Sequence, residues 1–360
     1  MLFAQLTGQP KFEIIPESDT DFWGRSLRTN MKEDPATSTN ATANGAVLDL
    51  RNVTKFYGDF KAVDDVSLQI PAGAIYGFLG PNGAGKTTTI RMILEIIKPT
   101  SGAITVLGQP SALKVRNRIG YLPEEKGLYK KMKAWSIIAY FATLKGVRRG
   151  EAKRRAFEML EKYGLKDFAE KPTEALSKGM GQKVQILASI AHDPELVILD
   201  EPFSGLDPVN QQVMEEIIRD LARRRRTVIF STHVMQHAER LCERILLIAR
   251  GRKIFDGTIT EAKRTVPRRV LIETGDDVTP IRNLAEIEFI KPMANGAGEA
   301  AGPSAGRWEI QMRDNADPQA VLQSCFARGI RLRSFDQSEP SLHDVFVRLV
   351  GPEAREASFR

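Results

Sequence analysis

Apolar and polar positions divide the chain into three regimes. Residues 1 to about 45 show little periodicity, and Thr37–Gly45 holds only Thr, Ser, Asn, Ala and Gly, so a poorly ordered extension is predicted there. Ordered structure should begin near Val47, where Val47, Asp49, Arg51 and Val53 open a strand-like stretch. A second β-like segment runs from Val63 to Ile70, and Ala74–Leu79 is an apolar strand entering a glycine-rich loop. A helix from Lys86 to Ile97 should follow, stopped by Pro99. Residues 125–185 read mostly helical; Ala152, Ala156, Met159, Leu160 and Tyr163 fall on one face near period 3.6. Short buried strands are predicted at Leu196–Leu199, Val228–Phe230 and Arg244–Ile248, and strands alternating with helices indicate an α/β sheet.

Beyond about Thr260 the pattern changes. Strands are predicted at 268–273, 286–290, 307–312 and 331–335, with helix-like stretches at 279–285 and 317–328. The order β-α-β, β-α-β predicts a small ferredoxin-like α+β lobe, with a Gly/Ala-rich loop at Asn295–Gly306. The domain division expected is an extension over 1–45, a main domain over 46–258 with a helical subdomain at about 125–185, a lobe over 260–350 and a tail over 351–360.

Composition adds limits. A chain of 360 residues is long enough to bury a substantial core. Its longest strongly apolar run, Ala134–Leu144, falls short of the about 20 residues that a membrane helix needs. Met1–Phe12 is broken by Gly8, Pro10 and Lys11, unlike a secretory leader, so a cytoplasmic protein is expected. Cys242 and Cys325 have no metal-ligand spacing and read as buried thiols. The net charge of +7 permits anionic partners without requiring them. The Arg223–Arg226 run falls where a helix should end, and cations are favoured there by the helix dipole.

Two motifs carry chemistry. Gly80-Pro81-Asn82-Gly83-Ala84-Gly85-Lys86-Thr87-Thr88 follows a strand and opens a helix, as a phosphate-binding loop must. Glycines let backbone N–H groups turn onto phosphates, and the helix N-terminus adds positive potential. Lys86 can reach β- and γ-phosphates, and the Thr87 hydroxyl can ligate Mg²⁺. Leu196-Val197-Ile198-Leu199-Asp200-Glu201 is an apolar strand delivering two carboxylates: Asp200 to hold Mg²⁺ and Glu201 to polarise the attacking water. Taken alone, that acidic pair would fit a helix start equally well.

With these motifs in order, the segment from about Val47 to Gly257 resembles the nucleotide-binding domain of ATP-binding cassette (ABC) proteins, a P-loop NTPase fold whose mixed sheet core carries a β-subdomain and a helical subdomain. The resemblance implies ATP and Mg²⁺ as ligands and roles for further residues. Tyr57 sits where the family stacks a ring on adenine, and Glu124 at the Q-loop, near Mg²⁺. Ser177 and Gly179 fall in the signature that meets a γ-phosphate; Gly205 and Asp207 fall in the D-loop. His233 matches the switch histidine, whereas His192, His237 and His343 match no catalytic slot. Two departures stand out: Glu124 replaces the usual Gln, and the signature has Lys178 and Met180 in place of the commonest Gly and Gln. These variants, with the closing stretch Glu339–Phe346, resemble bacterial sodium-efflux and drug-efflux cassettes. The implied function is the ATP-hydrolysing subunit of an exporter. Its implied partners are a second copy, closed head-to-tail, and a separate membrane-spanning permease. It would lie on the inner face of the cell membrane, and no nucleic acid is expected. Translation, DNA-associated and non-catalytic regulatory cassettes are the alternatives. The single phosphate loop, the lack of long insertions, and intact Lys86, Asp200, Glu201 and His233 weigh against them.

Overall fold

The computed structural model describes residues 46–125, 127–293, 306–313 and 316–351. The predicted extension, most of the Asn295–Gly306 loop, Lys126 and most of the tail lie outside the described residues. The chain divides into two compact units. The first takes the described part of Met1–Tyr76 with Gly85–Ser231 and Arg250–Arg252; the second takes Gly77–Ala84, Thr232–Ala249 and the described part of Lys253–Arg360.

Strands β1 (Ala46–Tyr57), β2 (Phe60–Pro71) and, after the helix described next, β4 (Ser101–Val106) form an antiparallel sheet in the order β2-β1-β4. Inward positions Leu48, Leu50, Val53, Val66, Leu68 and Ile70 are buried. β3 (Ile75–Leu79), buried along its length, leads through the phosphate loop into α1 (Lys86–Ile93). That helix is a turn shorter than expected. It ends ahead of Pro99 because Glu95 takes a positive φ of 57°. Ile96 N–H then donates back to the Arg91 carbonyl at 2.9 Å, closing the last turn.

β5 (Ile119–Leu122), β6 (Leu196–Leu199) and β7 (Thr227–Thr232) run parallel, Leu199 beside both Leu122 and Phe230. With β3, β8 (Arg244–Ala249) and β9 (Arg252–Thr258) they complete a six-stranded sheet, β5-β6-β7-β3-β8-β9. β5 to β7 are apolar and wholly buried through Phe230, as parallel strands with covered faces require. Between β5 and β6 lie α2 (Ala134–Leu144), α3 (Arg149–Lys162) and α4 (Lys178–Ile190). α3 buries Ala152, Ala156 and Leu160, the predicted face, and Phe157 stacks on Trp135 of α2 with centroids 5.6 Å apart. α5 (Pro208–Arg223) ends as the basic run suggested: Arg223 pairs with Asp220 at 2.6 Å, and Arg224 and Arg226 pair with Asp193.

In the second unit, α6 (Met235–Leu241) follows β7, and α7 (Ile259–Arg264) opens on a capping box made by Thr258 and Glu261. Strands β10 (Arg269–Thr274), β11 (Ile287–Met293), β12 (Gly306–Met312) and β13 (Leu332–Ser338) then form an antiparallel sheet in the order β11-β12-β10-β13. This is the ferredoxin-like arrangement with its first helix missing. The predicted helix at 279–285 is a single turn, Thr279–Ile281. Asp277 Oδ1 accepts from both the Thr279 N–H and its hydroxyl, winding the chain into a tight turn instead. The second crossover, α8 (Pro318–Ala327), is present. It buries Val321 and Cys325 in a core with Val270, Ile272, Ile310 and Met312. α9 (Leu342–Val350) closes the lobe, capped by Ser341 with Asp344, so the His343-Asp344 pair serves a helix start. Glu239 of α6 accepts from Leu342 N–H at 2.8 Å and meets Lys263 at 3.5 Å. Cys242 and Cys325 are free and buried, and no described helix is long and apolar enough to cross a membrane.

Candidate functional site

The phosphate loop has its shape because two glycines stand where no side chain fits. A Cβ on Gly80 would lie 2.1 Å from the Ile248 carbonyl oxygen. One on Gly85, at φ +104°, would lie 2.6 Å from the Ala62 carbonyl. Between them Ala84 N–H donates to the Pro81 carbonyl at 3.2 Å, and Asn82 and Gly83 are exposed at the crest. Thr87 and Thr88 follow on the first turn of α1, half-buried.

Lys86, Thr87, Asp200 and Glu201 come together. β6 ends at Leu199, so Asp200 and Glu201 emerge from its C-terminal edge, with Asp200 N–H donating to the Leu122 carbonyl at 2.8 Å. Lys86 Nζ lies 3.6 Å from Glu201 Oε1. Thr87 Oγ1 donates to Asp200 Oδ1 at 3.2 Å. A fifth residue joins them: Ser231 Oγ donates to Asp200 Oδ1 at 2.6 Å and accepts from Glu201 N–H at 2.9 Å. No motif in the sequence singles out Ser231, two residues before His233. The signal for it lies in the pairing of β6 with β7: one step beyond Leu199–Phe230, the parallel register sets Ser231 beside Asp200.

Burial sets the electrostatics. Desolvation pushes the Lys86 ammonium below its usual range although Glu201 and Asp200 pull the other way. Desolvation pushes the Asp200 carboxyl up, against the Ser231 and Thr87 hydrogen bonds. Glu124, exposed after β5, contributes negative field to both groups. Asp200 Oδ2 is buried and has no hydrogen-bond partner among the described residues. A hydroxyl and a carboxylate with an unmatched oxygen are a donor set suited to a hard divalent cation, so these residues fit Mg²⁺. Bound there, the cation would neutralise phosphate charge.

The signature and D-loop residues form a second cluster. Ser177 caps α4, its Oγ accepting from Met180 N–H at 3.3 Å, which leaves the hydroxyl hydrogen free to donate outward. Asp207 caps α5, its carboxylate accepting from Asn210 N–H at 3.0 Å and from the Asn210 amide at 2.5 Å. Gly179 lies buried beneath that amide. Gly205 and Asp207 are exposed, as is Ser177. Among the described residues no hydrogen bond or ion pair joins Ser177, Gly205 or Asp207 to the Lys86 group. One strut does tie α4 to the loop after β6: Gln182 Nε2 donates to the Pro202 carbonyl at 2.5 Å. Tyr57 stands at the end of β1, 48% exposed, with Lys55 Nζ 5.2 Å from its ring centroid. His233 is exposed immediately after β7.

The geometry can cradle phosphates, hold a divalent cation and present a carboxylate to water. The comparisons agree. The sequence profile described as "ABC transporter" matches residues 63–204, and that described as "ATP-binding protein DrrA1-3-like, C-terminal domain" matches residues 257–350. The uncharacterized ABC transporter ATP-binding protein YhaQ of Bacillus subtilis is 40% identical over 85% of this chain and 99% of its own length. Nod factor export ATP-binding protein I of Sinorhizobium fredii is 34% identical over 89% of this chain and 90% of its own. A solved structure of the ATP-binding subunit of an ABC transporter superposes with a TM-score of 0.57, at 29% identity, covering 61% of this chain and 92% of that one. The chain belongs to the ABC transporter ATP-binding family: with Mg²⁺ it binds and hydrolyses ATP to power transport in association with a membrane permease.

Proposed function

We propose that this ATPase drives export, working as a head-to-tail pair beneath a separately encoded permease on the inner face of the cell membrane. The observation that carries the pairing is the separation of the two clusters. Ser177, Gly205 and Asp207 present themselves outward, unlinked to the Lys86 group, and in that form they suit a partner copy's nucleotide. In this reading Gly80 to Thr88 cradle the phosphates, Thr87, Asp200 and Glu124 serve Mg²⁺, Glu201 polarises water, and His233 meets the γ-phosphate. Tyr57 stacks on adenine. The cassette spans 46–258 with its helical subdomain at about 125–185, and 260–350 is an accessory lobe.

The surface for the permease is the segment from Glu124 to Gly146. Ile137 and Ile138 are core, whereas Tyr129 is 49% and Leu144 39% exposed, with Tyr129, Tyr140 and Phe141 in ring contact. Lys130, Lys131 and Lys133 are exposed beside them. Such a surface suits an amphipathic helix with aromatic anchors. The efflux direction, and the place beside sodium-efflux and drug-efflux cassettes, rest on the signature variants and the accessory lobe. A relative named for Nod factor export is consistent with the efflux direction.

Pairing is tested by mixing Lys86→Ala chains with Ser177→Arg chains. Each should be inactive alone, and a mixture should regain at most one working composite site per heterodimer. Specific activity that is independent of protein concentration, in a chain that stays monomeric with ATP, overturns the pairing. Direction is tested in inverted membrane vesicles. ATP should load at least one solute into the lumen with the wild type and not with Glu201→Gln; ATP-driven depletion of the lumen overturns export.

A further inference from the structure

The accessory lobe contains a cavity of about 800 Å³, in the size range of small-molecule sites. Four separate parts of the chain converge on it: α7, the segment leading into β10, Arg313 and Ala316 beyond β12, and the β13–α9 connection with α9 itself. Its lining includes five cations, Lys263, Arg264, Arg268, Arg313 and Arg348, and one carboxylate, Glu339. Glu339 does little to quench them, since its side chain is 87% exposed and only approaches Lys263, at 4.0 Å. Lys263 is further balanced by Glu239. Arg268, Arg313 and Arg348 make no ion pair among the described residues; Arg313 Nε donates to the Ile287 carbonyl at 3.1 Å, and its two terminal nitrogens remain to meet an anion.

Helix dipoles account for part of this charge. Lys263 and Arg264 occupy the last turn of α7, and Arg348 the last turn of α9, where cations are favoured. They do not account for Arg268 or Arg313, which sit on neither helix yet line the same concavity. Bringing like charges into one hollow is unfavourable until an anion enters it. Guanidinium groups with unclaimed N–H donors match phosphate oxygens two at a time.

We infer that this cavity is an anion-binding site for a phosphate-bearing ligand, apart from the site of hydrolysis. The ligand chemistry is shared by soluble organic polyphosphates and by phospholipid headgroups.

The test uses the full chain carrying Lys86→Ala, so that the phosphate loop contributes little. Inorganic tripolyphosphate binding is measured by calorimetry, and binding to phosphatidylcholine vesicles with and without phosphatidic acid by co-sedimentation. Adding Arg268→Glu and Arg348→Glu should weaken binding at least tenfold, and Arg268→Gln with Arg348→Gln by several-fold. In a Lys86 background both pairs should keep the wild-type melting temperature and Mg²⁺-ATPase activity. Should the Glu pair fail to fold, the Gln pair decides. Tripolyphosphate binding with this dependence supports the site and a soluble ligand. Binding only to phosphatidic acid vesicles, with the same dependence, supports the site and a headgroup ligand. Binding of neither anion, binding indifferent to both arginines, or binding of RNA alone overturns the inference.

Discussion

Lys86 Nζ stands 3.6 Å from Glu201 Oε1, and both side chains are buried. The phosphate-loop cation and the carboxylate proposed to polarise water therefore lie within reach of each other. A γ-phosphate reaching Lys86 would compete for that ammonium and turn Glu201 toward water. Glu201 is also pinned at its backbone, with φ at +48° and its N–H bound by Ser231. The backbone thus stays fixed while the side chain changes partner.

Glu201→Gln keeps the shape and removes the base. ATP·Mg²⁺ binding should persist while turnover falls roughly 10²- to 10⁴-fold, the usual worth of a general base. Single-turnover hydrolysis alongside equilibrium nucleotide binding separates the two effects. Turnover within a few-fold of wild type would remove Glu201 from the role.

Asp200 carries the opposite lesson. Burial raises its carboxyl pKa, so between its ordinary range and that raised value the native state binds more protons than the unfolded chain. The group therefore costs stability as pH rises through that window, and the full cost stands above the raised value. Asp200→Asn should raise the melting temperature of the nucleotide-free chain by roughly 2–4 °C, equivalent to about 1 kcal/mol in a unit of this size. The same change should abolish the further rise that Mg²⁺ gives over ATP alone. If the variant melts lower and still responds to Mg²⁺, Asp200 is a structural acid and not the cation ligand.

The strand Leu196–Leu199 matched its prediction in both bounds, because a run of four apolar residues before two acids leaves one way to bury it. The phosphate loop was equally legible, since glycine spacing encodes backbone geometry directly. What the sequence hid was set by local hydrogen bonds or by distant partners. The helix at Lys86 ended early through the φ of Glu95, and the helix expected at 279–285 gave way to an Asp277 turn. Ser231 drew its role from a strand thirty-one residues away in sequence, which no local pattern reveals.

His192 has no catalytic slot but a measurable effect. Its Nε2 lies 3.2 Å from the Ile119 carbonyl, and burial, helped by Lys145, pushes its pKa down to about 4. The unfolded imidazole titrates near 6.5, so the native state binds fewer protons between those values. Stability from this group is full above about pH 6.5 and is lost as pH falls toward 4. Allowing for partial exposure, the loss by pH 4 should be about 2 kcal/mol. Urea unfolding at pH 7, 5.5 and 4.5 should show this slope in the wild type and a shallower one in His192→Gln. Parallel slopes would assign the acid sensitivity to other groups.

Asn210 connects the two motifs proposed to face the partner's nucleotide. Its side chain is held by Asp207 of the D-loop, and a Cβ added to Gly179 of the signature would lie 2.4 Å from its amide nitrogen. Gly179→Ala must therefore displace Asn210 and loosen Asp207, while leaving Lys86, Thr87 and Asp200 untouched. Nucleotide affinity should hold, and turnover should fall about 10- to 100-fold, as small misplacements in an active site do. Asn210→Ala alone opens the space but gives up a hydrogen bond, at about 1 kcal/mol of stability. Combining the two removes the clash, so the double variant should be more stable than the sum of the single losses predicts, by roughly 0.5–3 kcal/mol. Its turnover should stay low, because Asp207 keeps the backbone N–H of residue 210 but lacks the amide that fixes its second oxygen. Strictly additive losses of stability would mean that Gly179 and Asn210 do not share the contact, and the link between signature and D-loop would have to run elsewhere, through Gln182 and Pro202.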